Sequence, residues 1–403
     1  MDLHSGLPYW IIKNPLYNYF NPLNISIKTD VLIIGSGITG ALVAHELCSA
    51  GIACTVVDKR SIATGSSAAS TSQLQYEIDV PLCQMADQLG TDRAVPAYLA
   101  SLQSISDLET LFKTTGVNAY FERVPSLYLA SNKQGLKLIE REYEIRTEYK
   151  LPVSYFDKKH LKNQFNISAP GALYNNRSAQ MDCYAAAIGL LKHHMEANNL
   201  QLFSHTEIVS WEERPRSYLF KASNGKTISC KYVVIAAGFE AGKFLPKDVM
   251  DLQSTYALVS QPIQPNQFWK ERCLIWETRE PYFYIRSTQD NRIIIGGGDE
   301  DFKDPVRRDK LLRRKIASLE KQFHKLFPEI PFVTDMAWCG TFSSTKDGLP
   351  YIGTWPGKER MFFALGYGGN GITFSMIAAQ MIRNRLTGQK DAREDIFGFE
   401  RAK

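Results

Sequence analysis

The chain has 403 residues, 44% of them hydrophobic and 22% charged, with a net charge of +5. That length exceeds the roughly 250 to 300 residues at which one hydrophobic core stops growing, so two domains are expected. No apolar run approaches the ~20 residues of a membrane span, and seven scattered cysteines without a CxxC pair or a nearby histidine cluster argue against a zinc site. No metal is expected. The start lacks a basic segment followed by a long apolar one, so no secretory signal is read and the expected location is cytoplasmic.

Residues 1–29 are rich in aromatics and carry the pairs Asn14-Pro15 and Asn21-Pro22, which favour extended or turn structure; a strap packed on the first domain is expected. Residues 30–40, DVLIIGSGITG, predict a strand, a tight turn and a helix start, with glycines at Gly35, Gly37 and Gly40. An amphipathic run over 41–50 and a second strand at 54–57, ending at Asp58, complete a βαβ unit. Such a unit binds a dinucleotide. Gly35 permits the turn, Gly37 lets backbone approach a pyrophosphate, Gly40 lets the helix pack on the strand, and the helix N-terminus faces the phosphates. Asp58 falls about 20 residues further on, where a carboxylate accepts hydrogen bonds from ribose. The run 59–74, KRSIATGSSAASTSQL, is small and hydroxylic. It is either a linker or, so soon after a dinucleotide unit, backbone laid against a flat cofactor, and the second is expected.

Residues 81–115 predict a helix, with Leu102, Ile105, Leu108 and Leu111 on one face and Gly116 as its stop. A strand at 126–129, a charged helix at 133–149 and a short strand near Val153 suggest a different module. A helix over about 182–198 precedes closely spaced strands at 201–213, 218–222 and 227–229, and KYVVIAAG (231–238) has the pattern of a buried strand. Further strands at 255–264, 274–277, 282–286 and 292–296 predict a mostly antiparallel second sheet. The densest basic run, RRDKLLRRK at 307–315, shares a helix with the apolar stripe Leu312, Ile316, Leu319 and Phe323. It reads as a solvated face, and without an aromatic platform nucleic acid is not expected as a partner. Finally, a strand at 361–365 enters GYGGNG (366–371) and a helix at 372–386 stopped by Gly388. No acid-terminated strand follows, so this is not a second dinucleotide unit; the loop aims a helix N-terminus at one electron-rich group.

Four motifs in this order resemble the D-amino-acid oxidase superfamily of FAD-dependent oxidoreductases, the group that includes glycine oxidase, sarcosine oxidase and glutamylputrescine-type amine oxidoreductases. They are GSGITG with Asp58, the loop 65–75, VVIAAG (233–238), and the tail pair STKDGLPYIG (344–353) and GYGGNGI (366–372). The resemblance spans the whole chain. It implies an α/β fold (α+β overall), in which a Rossmann-like FAD-binding domain with a parallel central sheet is interleaved with a smaller substrate domain on a mostly antiparallel sheet. The FAD domain is expected at 1–115, 170–245 and 335–403, the substrate domain at 116–169 and 246–334. FAD would be held by Gly35, Gly37, Ile38, Thr39, Gly40, Asp58 and Lys59, by Ser66, Ser67, Ser72 and Gln73 of the loop, by Ile208, Ala237, Gly238 and Gly340, and by Gly368, Gly369, Asn370, Gly371, Ile372 and Thr373 at the tail. The tail loop would face the pyrimidine end of the flavin, where negative charge develops on reduction. The implied reaction is oxidation of a C–N bond of an amine or amino acid by hydride transfer to flavin N5, followed by hydrolysis of the imine and passage of the electrons to oxygen or another acceptor.

The sequence departs from the family at its substrate anchors. Glycine-oxidase-like members carry an Arg-Pro pair where Phe342-Ser343 stands here, and sarcosine oxidases carry a lysine in the slot of Thr373. Their flavin-tethering cysteine aligns with Gly340; Cys339, one residue away, would point to the opposite strand face, so noncovalent FAD is expected. In PYFYIR (281–286), Tyr282, Tyr284 and Arg286 share a strand face by period two. If that face meets the flavin, they line the substrate pocket and Arg286 grips a carboxylate; otherwise the strand is half-buried and the arginine reaches solvent. Gln73, Gln75 and Trp276 are further pocket candidates, and Lys346, in a turn with Asp347, is a candidate partner for oxygen or substrate. Two other readings compete: a same-fold dehydrogenase passing electrons from a 2-hydroxy acid to a quinone, and a flavoprotein acting in RNA modification.

Overall fold

The computed structural model describes residues 4–6, 8–14, 20–302 and 304–402. Five parallel strands form the centre of the first sheet, in the order Leu200–Phe203, Cys54–Val57, Ile27–Ile34, Thr227–Ile235 and Met361–Leu365. Helices and loops cover both faces, which is why strands such as Met361–Leu365 are apolar and buried throughout. Tyr351–Thr354 pairs antiparallel with the last strand. A hairpin of Ile208–Arg214 and Ser217–Ala222 pairs with the first half of Thr227–Ile235, whose second half pairs with Met361–Leu365. The two strands expected at 227–238 are therefore one strand that changes partner midway. The strand expected over 201–213 is in turn two, because Leu200–Phe203 runs in the parallel core and Ile208–Arg214 in the hairpin.

The helix Ile38–Ser49, expected to be amphipathic, is buried almost all round, since the helices Cys183–Glu196 and Gly371–Leu386 both pack against it. The helix expected at 81–115 is two, Leu82–Leu89 and Thr91–Thr115, divided at Gly90, whose φ of 81° suits glycine.

The second sheet has nine strands, in the order His4–Gly6, Thr334–Ser344, Asp251–Ser260, Ile293–Asp301, Phe283–Ser287, Leu274–Glu277, Ser126–Leu129, Gly171–Asn175 and Ser154–Asp157. All neighbours are antiparallel except Leu274–Glu277 with Ser126–Leu129. Leu319 and Phe323 of the helix Pro305–Leu326 pack on Leu258, Ile285 and Ile295 of one face. The basic run is not wholly a solvated face. Arg307, Lys310, Arg313 and Arg314 are exposed, but Arg308 is buried against Thr341 Oγ1 (3.1 Å), and Lys315 Nζ donates to the carbonyl of Gly298 (2.6 Å).

Gly171–Asn175 and Thr334–Ser344, which fall almost wholly in stretches expected for the FAD domain, both run in the nine-stranded sheet. The N-terminal strap touches both units. His4–Gly6 edges the second sheet, and the short helix Tyr9–Lys13 buries Tyr9 and Trp10 in the largest core cluster. Residues 1–3, 7 and 15–19 of the expected strap lie outside the described residues. All seven cysteines are free and buried. Among the described residues, no helix is long and apolar enough to cross a membrane.

Candidate active site

A cavity of about 350 Å³ opens at the carboxyl ends of the parallel strands, beside Ile34, Val57 and Ala236, and runs to the nine-stranded sheet. Its first end is built by the glycines. Gly35 has φ 112°, and a Cβ there would lie 2.3 Å from the Ala236 carbonyl oxygen. A Cβ on Gly40 would lie 1.9 Å from the Gly35 carbonyl oxygen, so this glycine serves helix packing and is not on the cavity wall. Gly37, Ile38 and Thr39 line the cavity at the helix N-terminus, where the Ile38 N–H donates to Ser67 Oγ (2.8 Å). Asp58 accepts from Ser36 N (2.9 Å), Ser36 Oγ (2.6 Å) and Arg60 N (2.9 Å), which leaves one of about four lone-pair sites for a further donor. Lys59 reaches the wall but pairs with Glu240 (2.7 Å), which also takes Arg60 and Lys243; these cations hold Glu240 below the usual carboxylate range against the opposing effect of burial. Ile208, Ala237 and Gly238 complete this end.

The small-residue loop lies along the middle of the cavity and is clamped from behind. Trp338 Nε1 donates to the Ala69 carbonyl (2.8 Å), Trp10 Nε1 to Ser70 (2.6 Å), and Arg286 Nη1 to Thr71 and Ser72 (2.9 Å each). Four consecutive carbonyls are thus held by buried donors, and Ser66, Ser67, Ser72 and Gln73 are left on the cavity wall. No local sequence signal predicts this clamp, because its donors come from 60 to 269 residues away in sequence.

Beyond the loop, Gln73, Gln75, Glu77 and Asp79 all face the cavity, while Leu74, Tyr76 and Ile78 between them are fully buried in the core. Asn370 fixes this run to the tail loop: its Oδ1 accepts from Asp79 N (3.1 Å) and its Nδ2 donates to the Glu77 carbonyl (2.7 Å). Asp79 in turn accepts from Gly369 N (2.6 Å) and from Tyr282 OH (3.4 Å). The tail loop therefore spends one of its N–H groups on a carboxylate of its own chain. Gly368, Gly371 and Ile372 remain on the wall, and no side chain caps the helix Gly371–Leu386. Gly340 lines the cavity, whereas Cys339 points into the opposite core, its Sγ against Ser5 Oγ (3.1 Å) and Asp309 Oδ1 (3.2 Å).

The far wall is made by Trp276, Tyr282, Tyr284 and Asp299, with Thr255. Burial foremost, then Asp79 and Glu280 nearby, push Asp299 up to about 7, while Thr255 and Lys315 act in the other direction. This folded value exceeds the ordinary 3.8. Protonated Asp299 thus contributes stability that is fully present below about pH 4 and is lost as pH rises through about 7. Asp299→Asn is accordingly expected to melt higher than wild type at pH 8, with the difference vanishing towards pH 4 in thermal melts.

Three expectations need correction. Arg286 does not line the cavity: the residue is only 3% exposed and its guanidinium sits among the carbonyls of Thr71, Ser72, Met181 and Ser287, because its strand face meets the back of the small-residue loop at that point. Lys346 is exposed in its turn and off the wall; Asp347 there is occupied by Arg401 and the Leu349 N–H. Thr373 is buried, with Oγ1 donating back to the Asn370 carbonyl (3.0 Å). Glu77, Asp79 and Asp299 join the wall without having been expected there. The first two are signalled by the alternation QLQYEID at 73–79.

The residues fit an elongated dinucleotide. The glycine cradle is built of backbone with only the Ser67 hydroxyl beside Gly37, and midway along the cavity both amide atoms of Gln73 are buried without a protein partner. A nucleotide cradle at the end of a parallel sheet is thus joined by a clamped loop to the face of a mostly antiparallel sheet. The chain belongs to the DAO family, described as FAD dependent oxidoreductase, whose sequence profile matches residues 30–385. It is similar to the glycine oxidase of Geobacillus kaustophilus, with 24% identity covering 92% of this chain and 96% of the relative. It is also similar to the gamma-glutamylputrescine oxidoreductase of Escherichia coli K12, with 23% identity covering 97% and 91%. Among solved structures, L-proline dehydrogenase from P. horikoshii superposes with a TM-score of 0.78 at 19% identity, covering 94% of this chain and 100% of that one.

Proposed function

We propose that the protein oxidises a C–N bond of an amine or amino acid with noncovalently held FAD. FAD, when bound, supplies the hydride acceptor. The observation that carries the reading is that the cavity continues from the nucleotide cradle to a wall of carboxylates and phenols. An amine reaches an enzyme protonated and must lose that proton before its α-carbon can give up a hydride. Asp299 Oδ1, buried without a protein partner in a side chain poised near neutrality, can take it. Tyr282, Tyr284 and Trp276 shape the pocket, and the clamped loop excludes water from its floor. Asp58 and the glycine cradle hold the nucleotide end, while Ile372 and the uncapped helix N-terminus offer positive potential to the flavin. Cys339 faces away, which favours noncovalent attachment. In this reading the parallel sheet and its helices are the FAD unit and the nine-stranded sheet is the substrate unit, with residues 171–175 and 334–344 assigned to the latter.

Product analysis tests this. The FAD-loaded protein, incubated in air or with an artificial dye, is expected to release ammonia or a shorter amine together with a carbonyl product from amines or amino acids. Turnover of 2-hydroxy acids alone would sink the C–N reading.

A further inference from the structure

The charges on the cavity wall are unevenly placed. Among the described residues its basic side chains, Lys59, Arg60 and Lys243, all stand at the nucleotide end and all pair with Glu240. Of the cations expected at the substrate end, Arg286 is turned to the back of the loop and Lys346 is exposed off the wall. That end carries Asp79 and Asp299 instead. Its unpartnered polar atoms include both kinds. Asp299 Oδ1, Gln73 Oε1 and Glu77 Oε2 are buried acceptors without a protein donor, although Glu77 pairs through its other oxygen with Arg146 (3.1 Å). Gln73 Nε2 and Trp276 Nε1, the latter in a side chain stacked on Tyr128, are donors without an acceptor. A carboxylate in this pocket would meet two carboxylates and no free cation. An ammonium would bring three N–H donors to acceptors that lack them.

We infer that the preferred substrate is an amine bearing a second, protonated nitrogen and no carboxylate, the second nitrogen being held by Asp79 while Asp299 serves the reacting nitrogen. The inference rests on the C–N oxidation reading. The protonated reacting nitrogen loses one proton and its α-carbon a hydride, two electrons passing to FAD, and an iminium ion is left for water to hydrolyse. The distal ammonium is unchanged and serves to hold and orient the chain.

Three four-carbon probes separate the possibilities: 1,4-diaminobutane, butylamine with one end unfunctionalised, and 4-aminobutanoate. Anaerobic rapid mixing with the FAD-loaded protein gives a Kd for each from the concentration dependence of flavin bleaching. Diaminobutane is expected to bind at least about ten-fold tighter than butylamine, and aminobutanoate more weakly than both. Asp79→Asn should bring diaminobutane to within about three-fold of butylamine. Added salt should weaken diaminobutane most. Aminobutanoate binding as tightly as diaminobutane to wild type overturns the inference, and that comparison needs no variant. Bleaching by amines in the wrong order overturns only this inference, whereas bleaching by 2-hydroxy acids alone overturns the C–N reading beneath it.

Discussion

Arg286→Met is expected to destabilise the protein by roughly 3 to 5 kcal/mol and to weaken FAD retention by more than about ten-fold. The side chain donates to the carbonyls of Ser287, Thr71, Ser72 and Met181 at 2.9 to 3.0 Å and lies over the Trp10 ring, 5.3 Å from its centroid. Methionine fills similar volume and supplies no donor. Ser72 keeps a second donor in the Met181 N–H (3.2 Å), but Thr71 and Met181 lose the donor that holds them. Each charge-assisted bond contributes about 1.5 to 3 kcal/mol, so the sum is large for one substitution. The loop they anchor is the middle of the cofactor cavity, so the loss reaches FAD as well. Denaturant unfolding of the variant and the flavin content of the purified protein check both parts. A residue that gripped substrate would behave differently: its loss would raise KM and leave the melting temperature alone.

Gly40→Ala is expected to yield protein that unfolds about 3 kcal/mol more easily and purifies without flavin. A methyl group there would sit 1.9 Å from the Gly35 carbonyl oxygen and 3.5 Å from Ile33 Cγ2. The helix cannot step back, because the helices Cys183–Glu196 and Gly371–Leu386 press on its other sides. Relief must come from Gly35, whose φ of 112° sets the turn of the cradle. Flavin absorbance per protein and an unfolding curve measure the outcome, with Gly51→Ala, where a Cβ meets nothing within 4 Å, as a comparison for backbone strain alone.

Local sequence carries the nucleotide end of the site almost completely. The spacing Gly35, Gly37, Gly40 and the distance to Asp58 are fixed by one continuous βαβ unit, so neighbours in sequence are neighbours in the cradle. The substrate end is assembled from five segments, around Asp79, Thr255, Trp276, Tyr282 and Asp299, and period two alone cannot place them. It puts Tyr282, Tyr284 and Arg286 on one face, which is correct for the backbone, but the cavity ends between the second and third of these side chains, where the loop 69–72 crosses. The alternation of 73–79 is equally readable, yet the hydroxylic loop before it masks it as a continuation of irregular chain. Strand pairing there is short, Gln73–Leu74, and the rest of the run is held by Asn370. Asp299 sits at the end of the glycine-rich stretch IIIGGGDED, where nothing in composition separates a surface turn from a pocket wall. Packing of one sheet against the other decides these positions.

The most direct test is an anaerobic titration of the FAD-loaded protein followed by its visible absorbance. Amines or amino acids are expected to bleach the flavin, and oxygen or a dye to restore it after each cycle. Flavin that stays oxidised with every amine and amino acid but bleaches with a 2-hydroxy acid would contradict C–N oxidation as the reaction of this cavity.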